Sequence, residues 1–114
     1  MEQRRKYERV RFLASASVIS PAMKTRFQAC VTSLGRGGLG LFSERFLEVG
    51  QQVELELTWT NPVGRVYKDR VQGTVVTSRV GVEGNTIGVQ FTEPLGQKNG
   101  ALLEYMRRAQ QSES

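Results

Sequence analysis

Arginines near the amino terminus are the residues of this sequence best suited to bind an anion. Arg5 and Arg9 stand four residues apart in the segment RRKYER, which begins at Arg4. An extended chain would hold them about 13 Å apart, whereas a coiled turn would bring them together. A guanidinium group binds phosphate as a fork, stacks on a purine face and matches the O6/N7 edge of guanine. The segment therefore predicts an anionic partner, although a solvated terminus would carry the same charge.

A second segment with binding potential is SLGRGGLGL, residues 33–41, which contains four glycines and one arginine, Arg36. Glycine permits positive φ angles and lets other groups approach the backbone closely, so this segment predicts a turn between two strands. Three interpretations stay open: a bulged hairpin, a nest of backbone N–H groups around an anion, and a turn opened for a flat ligand. From the segment alone a plain hairpin is favoured, because glycine runs are common in turns.

The composition argues against an enzyme. The chain has 114 residues and no histidine, which excludes a Cys–His nucleophile, a Ser–His–Asp triad and a Cys/His zinc site. Its acidic residues are scattered singly, so no paired-carboxylate site is expected. We therefore expect a non-enzymatic binding protein without a metal or cofactor.

Charge and hydropathy indicate the compartment in which we expect the protein to work. The net charge is +5, and the first eleven residues hold five basic and two acidic side chains. No apolar run approaches the roughly 20 residues that a membrane span requires, and the charged start is unlike a secretory leader. The single cysteine, Cys30, cannot form an intrachain disulfide. We therefore expect a cytoplasmic protein with no membrane insertion.

Apolar and polar residues alternate through several segments, which is the pattern of strands with one buried face. The predicted strands include residues 12–19, 25–31, 52–59, 65–80 and 86–92. The clearest is 52–59, in which Val53, Leu55, Leu57 and Trp59 alternate with polar residues. Within 65–80, Gly73 suggests a bulge or a sharp bend.

The pattern changes to helical spacing from about residue 97. Leu102, Tyr105, Met106 and Ala109 recur at intervals of three and four residues. The whole predicts a mainly β protein: a small six-stranded antiparallel β-barrel with a C-terminal α-helix. We divide the chain into a flexible basic arm at 1–11, a barrel with its helix at 12–109, and a frayed tail at 110–114.

The order of these parts resembles the PilZ domain, the bacterial receptor module for cyclic di-GMP. PilZ domains carry an RxxxR motif before the first strand, which Arg5 and Arg9 match, and a (D/N)xSxxG motif at the second turn. The framework segments GGLGLFSERFLEVGQQVELEL and IGVQF are also similar. In the second motif Ser33 stands in place of Asp or Asn, Gly35 in place of Ser, and Gly38 matches the final glycine.

The resemblance implies a receptor or adaptor that binds cyclic di-GMP, orders its N-terminal arm on binding and signals to an effector protein. The implied ligand-binding residues lie in the arm and in the glycine turn: Arg4, Arg5, Arg9, Ser33, Gly35, Arg36, Gly37 and Gly38. Arg36 is included because its guanidinium could stack on a base or meet a phosphate where the second motif departs from the family pattern.

Two other functions stay open. The altered second motif favours a PilZ-like adaptor that binds proteins and no nucleotide, whereas the intact RxxxR favours ligand binding. A basic barrel for single-stranded nucleic acid would need aromatic residues on its wet face. Most aromatics here are predicted on the core face (Phe12, Phe27, Trp59 and Phe91), which leaves Tyr7 and Tyr67 as exposed candidates. Nucleic-acid binding is therefore not expected.

Overall fold

A computed structural model describes residues 9–22 and 24–112 of the chain, with side chains as far as residue 109. It contains six strands, a short 3-10 helix and one α-helix. Their bounds are β1 Arg9–Ser20, β2 Thr25–Gly35, β3 Gly38–Ser43, β4 Gln52–Thr60, β5 Val66–Val80, β6 Asn85–Phe91, the 3-10 helix Gln97–Asn99 and α1 Gly100–Ser112.

The strands form one closed antiparallel barrel in the order β1-β2-β3-β6-β5-β4. The first and fourth strands close the ring, with Ser15 opposite Thr58 and Ile19 opposite Glu54. The fold class predicted from the sequence, a six-stranded antiparallel barrel followed by a C-terminal helix, is confirmed. No helix in the described part of the chain is long and apolar enough to cross a membrane.

The alternation of side chains in β4 decides which face of the barrel is buried. Val53, Leu55, Leu57 and Trp59 are all buried, as predicted. The buried residues of α1, Leu102 among them, belong to the same core, so the apolar face of the helix packs on the barrel. Each fully buried aliphatic side chain contributes about 1.5–3 kcal/mol to folding.

The aromatic residues predicted to face the core do so. Phe12, Trp59 and Phe91 are buried, and Phe27 is half-buried and packs against the core. The ring of Phe12 lies edge-on to Trp59, with centroids 5.5 Å apart, and to Tyr105 of α1, with centroids 4.8 Å apart. These rings form a cluster where the helix meets the barrel.

The first strand begins before the end of the predicted arm. Residues 9–11 belong to β1, and α1 extends to Ser112, into the predicted tail. Residues 1–8 of the arm lie outside the described residues. The division of the chain into arm, barrel and tail stays a prediction.

The irregularity in β5 lies further along the strand than Gly73. Gly73 pairs in register with Val53 and Phe91, whereas the register shifts between Val75 and Thr77. The prediction of a bulge at Gly73 is therefore wrong, because the irregularity lies between Val75 and Thr77. A Cβ atom at Gly73 would stand 2.4 Å from the Gln90 carbonyl oxygen, so this glycine permits close approach of β6 instead.

Candidate functional site

The start of β1 lies beside the glycine turn. In the antiparallel pair of β1 and β2, Arg9 is opposite Gly35, Val10 is opposite Leu34, and Arg11 is opposite Ser33. Residue 9 is the second arginine of the RxxxR segment. Residues 9–11 of β1 therefore lie beside residues 33–35, at the corner where β2 turns into β3.

Two bulges lie next to this corner. The register of β1 against β2 shifts between Arg11 and Ala14, and that of β2 against β3 shifts between Val31 and Ser33. Val31 and Leu34 are buried, so Thr32 and Ser33 are two consecutive residues between core positions. Bulges often redirect side chains beside functional sites, and here they place two hydroxyl groups on the outer surface near the turn.

Two glycines of this segment are required by close packing. A Cβ atom at Gly38 would lie 2.3 Å from the Val89 carbonyl oxygen, and one at Gly40 would lie 2.9 Å from Ser33 Oγ and 3.2 Å from Thr32 Oγ1. Neither glycine has a positive φ angle. These two positions therefore require glycine because neighbouring atoms approach the backbone closely, and not because the backbone is left-handed.

Next to the turn, two glycines of neighbouring strands lie under hydroxyl-bearing side chains. Gly40 of β3 pairs directly with Gly88 of β6. The hydroxyls of Thr32 and Ser33 border this pair on one side, and a Cβ atom at Gly88 would lie 2.4 Å from Thr77 Oγ1 on the other. We name these residues the glycine floor. Both glycines are buried under these three side chains, whose hydroxyl groups lie on the two sides of the pair.

The turn itself is fastened to the segment that follows β6. The amide N–H of Leu95 donates to the Arg36 carbonyl oxygen at 2.8 Å, and that of Phe91 donates to the Gly37 carbonyl oxygen at 2.8 Å. The Arg36 guanidinium donates to the Leu95 carbonyl oxygen at 3.3 Å. Arg36 therefore helps to hold the corner in place, a role that its sequence context did not predict.

The residues predicted for ligand binding fall into two groups. Those described by the structure lie at one corner of the barrel: Arg9, Ser33, Gly35, Arg36, Gly37 and Gly38. Arg4 and Arg5 lie outside the described residues. Four further residues next to this corner were not predicted from the sequence: Thr32, Gly40, Thr77 and Gly88. For Gly88, the only indication in the sequence was its place in the segment IGVQF, which is far from the turn along the chain.

The chain is thus a closed barrel of six antiparallel strands whose cationic entry strand lies beside a glycine turn. The family model for the PilZ domain matches residues 3–108, which is nearly the whole chain. The chain belongs to the PilZ domain family. No curated protein matches it in sequence.

Solved structures share this fold at low sequence identity. The PilZ domain with cyclic di-GMP of YcgR from Escherichia coli superposes with a TM-score of 0.70 at 14% identity, over 96% of this chain and 94% of that one. The inhibitor of motility MotI/DgrA of Bacillus subtilis superposes with a TM-score of 0.77 at 15% identity, over 97% of this chain and 53% of that one.

The MrkH–cyclic di-GMP complex of K. pneumonia superposes with a TM-score of 0.68 at 16% identity, over 97% of this chain and 56% of that one. This chain thus spans about half the length of MotI and of MrkH. At these identities the likeness establishes the fold alone.

Proposed function

We propose that this chain is a receptor for cyclic di-GMP, which it binds between its N-terminal arm and the glycine turn. The observation that carries the proposal is the pairing of Arg9 with Gly35, because it joins the two sequence segments expected to hold the ligand. Membership in the PilZ family supports the choice of ligand. The protein acts without catalysis.

The ligand has chemistry that suits this corner. Cyclic di-GMP carries two negative charges and two large flat bases. The guanidinium groups of Arg4, Arg5 and Arg9 bind phosphate and the guanine edge, while backbone N–H groups of residues 35–38 supply further donors. The hydroxyls of Thr32, Ser33 and Thr77, which lie over the glycine floor, offer further hydrogen bonds to a base.

The altered second motif lowers the affinity that we expect. Ser33 has a shorter, uncharged side chain than the Asp or Asn of the family pattern, and Gly35 has none where the family has Ser. Each missing contact to the base costs on the order of 1–3 kcal/mol, or roughly 5- to 150-fold in affinity. The hydroxyl of Thr32, beside that of Ser33 at the margin of the floor, partly replaces them.

Ligand binding transmits a signal by ordering the arm. Residues 1–8 gain contacts to the dianion at the cost of conformational entropy, and the ordered arm changes the surface that an effector protein meets. The exposed free thiol of Cys30 is compatible with a reducing cytoplasm, where we place the protein.

Calorimetric titration with cyclic di-GMP tests the proposal. We expect heat of binding with the wild type and its loss in Arg5→Ala/Arg9→Ala. The double variant Arg65→Ala/Arg79→Ala removes the same charge on β5 and its preceding turn, and it should bind like the wild type. Absence of heat with the wild type, or equal loss in both double variants, would refute ligand binding at this corner.

The alternative function is a protein adaptor that does not bind the nucleotide. The specific observation in its favour is the altered second motif, in which Ser33 stands in place of Asp or Asn and Gly35 in place of Ser. Under this alternative, partner binding stays the same with and without cyclic di-GMP. A partner captured equally well in both conditions, together with a flat calorimetric titration, would favour the adaptor.

A further inference from the structure

A groove between α1 and the β4–β5 hairpin lies apart from the glycine turn. It has a volume of about 270 Å³, a size suited to one large side chain. Its apolar lining consists of Trp59, Pro62, Tyr67, Ala101, Tyr105 and Ala109. We name it the helix–hairpin groove.

The aromatic rings give this groove a rigid floor. Trp59 is almost fully buried, and its ring stacks on Tyr67 with centroids 5.7 Å apart and planes inclined by 21°. Tyr105 is fixed from the helix side by its edge-on contact with Phe12. Preformed pockets lined by aromatic rings, with a few polar groups at the rim, are the usual form of binding sites. The groove is therefore ready to receive a side chain without rearrangement.

The rim of the groove is cationic. Arg65 lies over the Tyr67 ring, with its Cζ atom 5.8 Å from the centroid. Arg108 on α1 lines the groove and donates to Glu104 Oε2 at 2.9 Å. Among the described residues that line the groove, Glu104 is the one acidic group, and Arg107 also donates to it. The arginines thus outweigh the single carboxylate.

We propose that the helix–hairpin groove docks a partner protein segment that carries an apolar side chain next to acidic residues. Charge complementarity selects this occupant, because acidic groups on either side of the anchor would meet Arg65 and Arg108. The same charge disfavours the arm of this chain, which contains Arg4, Arg5 and Lys6, and a second copy of a chain with net charge +5. A large apolar anchor packed into the groove supplies most of the affinity at such a site.

Titration of the ¹⁵N-labelled full chain with capped hexapeptides tests this docking. The probes are DDLFDD, its charge-reversed counterpart KKLFKK, and DDGSDD, which lacks the apolar anchor. We expect DDLFDD to shift the Trp59 indole N–H and the amides of Asn61 and Ala101, with a Kd about fivefold or more below that of KKLFKK. DDGSDD should leave these signals in place. No cyclic di-GMP is added, so failure of the proposed ligand site does not affect the result.

Two variants show whether the peptide occupies the groove. Ala101→Trp fills the groove from an exposed position on α1 and should weaken DDLFDD binding about tenfold or more. Val82→Trp adds the same ring at the exposed β5–β6 hairpin and should leave binding unchanged.

Four results would overturn the proposal. Equal binding of DDLFDD and KKLFKK would remove the charge selectivity, and equal effects of the two tryptophan variants would place the peptide elsewhere. Nuclear Overhauser contacts from the Trp59 ring to residues 1–8 would mean that the arm fills the groove. A dimer that Ala101→Trp abolishes would mean that a second copy fills it.

Discussion

The hydroxyl group of Tyr105 donates a hydrogen bond of 3.3 Å to the carbonyl oxygen of Arg11. This bond joins α1 to β1 two residues after Arg9, the strand residue that pairs with the glycine turn. The C-terminal helix and the entry of the arm are thus connected through one short segment of backbone.

Tyr105→Phe removes this hydrogen bond and keeps the ring that packs on Phe12. We expect the free energy of unfolding to fall by about 0.5–1.5 kcal/mol, the usual net contribution of such a bond. Urea denaturation measures the change. Tyr67→Phe, which removes a hydroxyl from the same group of rings, is the control. Equal losses in the two variants would show that the bond to Arg11 is not the cause.

Gly38→Ala should destabilise the barrel. The new methyl group would lie 2.3 Å from the Val89 carbonyl oxygen, a backbone atom that cannot move aside without disturbing β6. Overpacking of this kind costs about 1–3 kcal/mol. Gly100→Ala is the matched control, because Gly100 has helical angles and open space around it. The free energy of unfolding of Gly100→Ala should be about 0.4–1 kcal/mol higher than that of the wild type. The midpoint of thermal unfolding measures both effects, and shifts of the two variants in the same direction would contradict this prediction.

Stability should depend on the ionisation of Glu104 in acid. Hydrogen bonds from Arg107 and Arg108 lower the pKa of this carboxyl below its ordinary value of 4.5. Because the folded-state pKa is the lower one, the stabilisation is present above pH 4.5 and is lost as the pH falls through the folded-state pKa.

The comparison of the wild type with Glu104→Gln checks this dependence. The wild type should be slightly more stable at pH 7, and the difference should vanish in strong acid and shrink in about 1 M salt. Glu83→Gln, at the exposed β5–β6 hairpin, should show no such pattern. A difference that persisted in acid would contradict the expected sign.

Restoring the family side chains in the second motif should strengthen the proposed ligand binding. Ser33→Asn/Gly35→Ser supplies polar groups for the base, and we expect a gain in affinity of about 5-fold or more over the wild type. Calorimetry with cyclic di-GMP measures it. Ser15→Asn, on the outer face of β1, is the control. Unchanged or weaker binding in the double variant would place the bases away from positions 33 and 35.

Local alternation was enough to predict most of the barrel. In β4 the buried residues Val53, Leu55, Leu57 and Trp59 follow a strict period of two, which the sequence displays directly. The helical spacing of Leu102 and Met106 likewise identified the face of α1 that is buried.

Relationships between distant strands could not be predicted from local patterns. The pairing of Gly40 with Gly88 depends on the register of β3 against β6, and the bond from Arg36 to Leu95 spans 59 residues. The two bulges beside the corner shift register by one residue without any glycine or proline at the shifted positions. Nothing local in the sequence therefore indicated that Thr32 and Ser33 would be consecutive residues on the outer surface.

The ring of strands has a consequence for the way in which other proteins can recognise this domain. Each of the six strands has a hydrogen-bonded neighbour on both sides, so none is an edge strand along its whole length, and only parts such as residues 66–72 of β5 are paired on one side alone. Recognition should therefore depend mainly on side chains at loops, on the helix and on the outer faces of strands, where single substitutions can change one partnership and leave the scaffold intact.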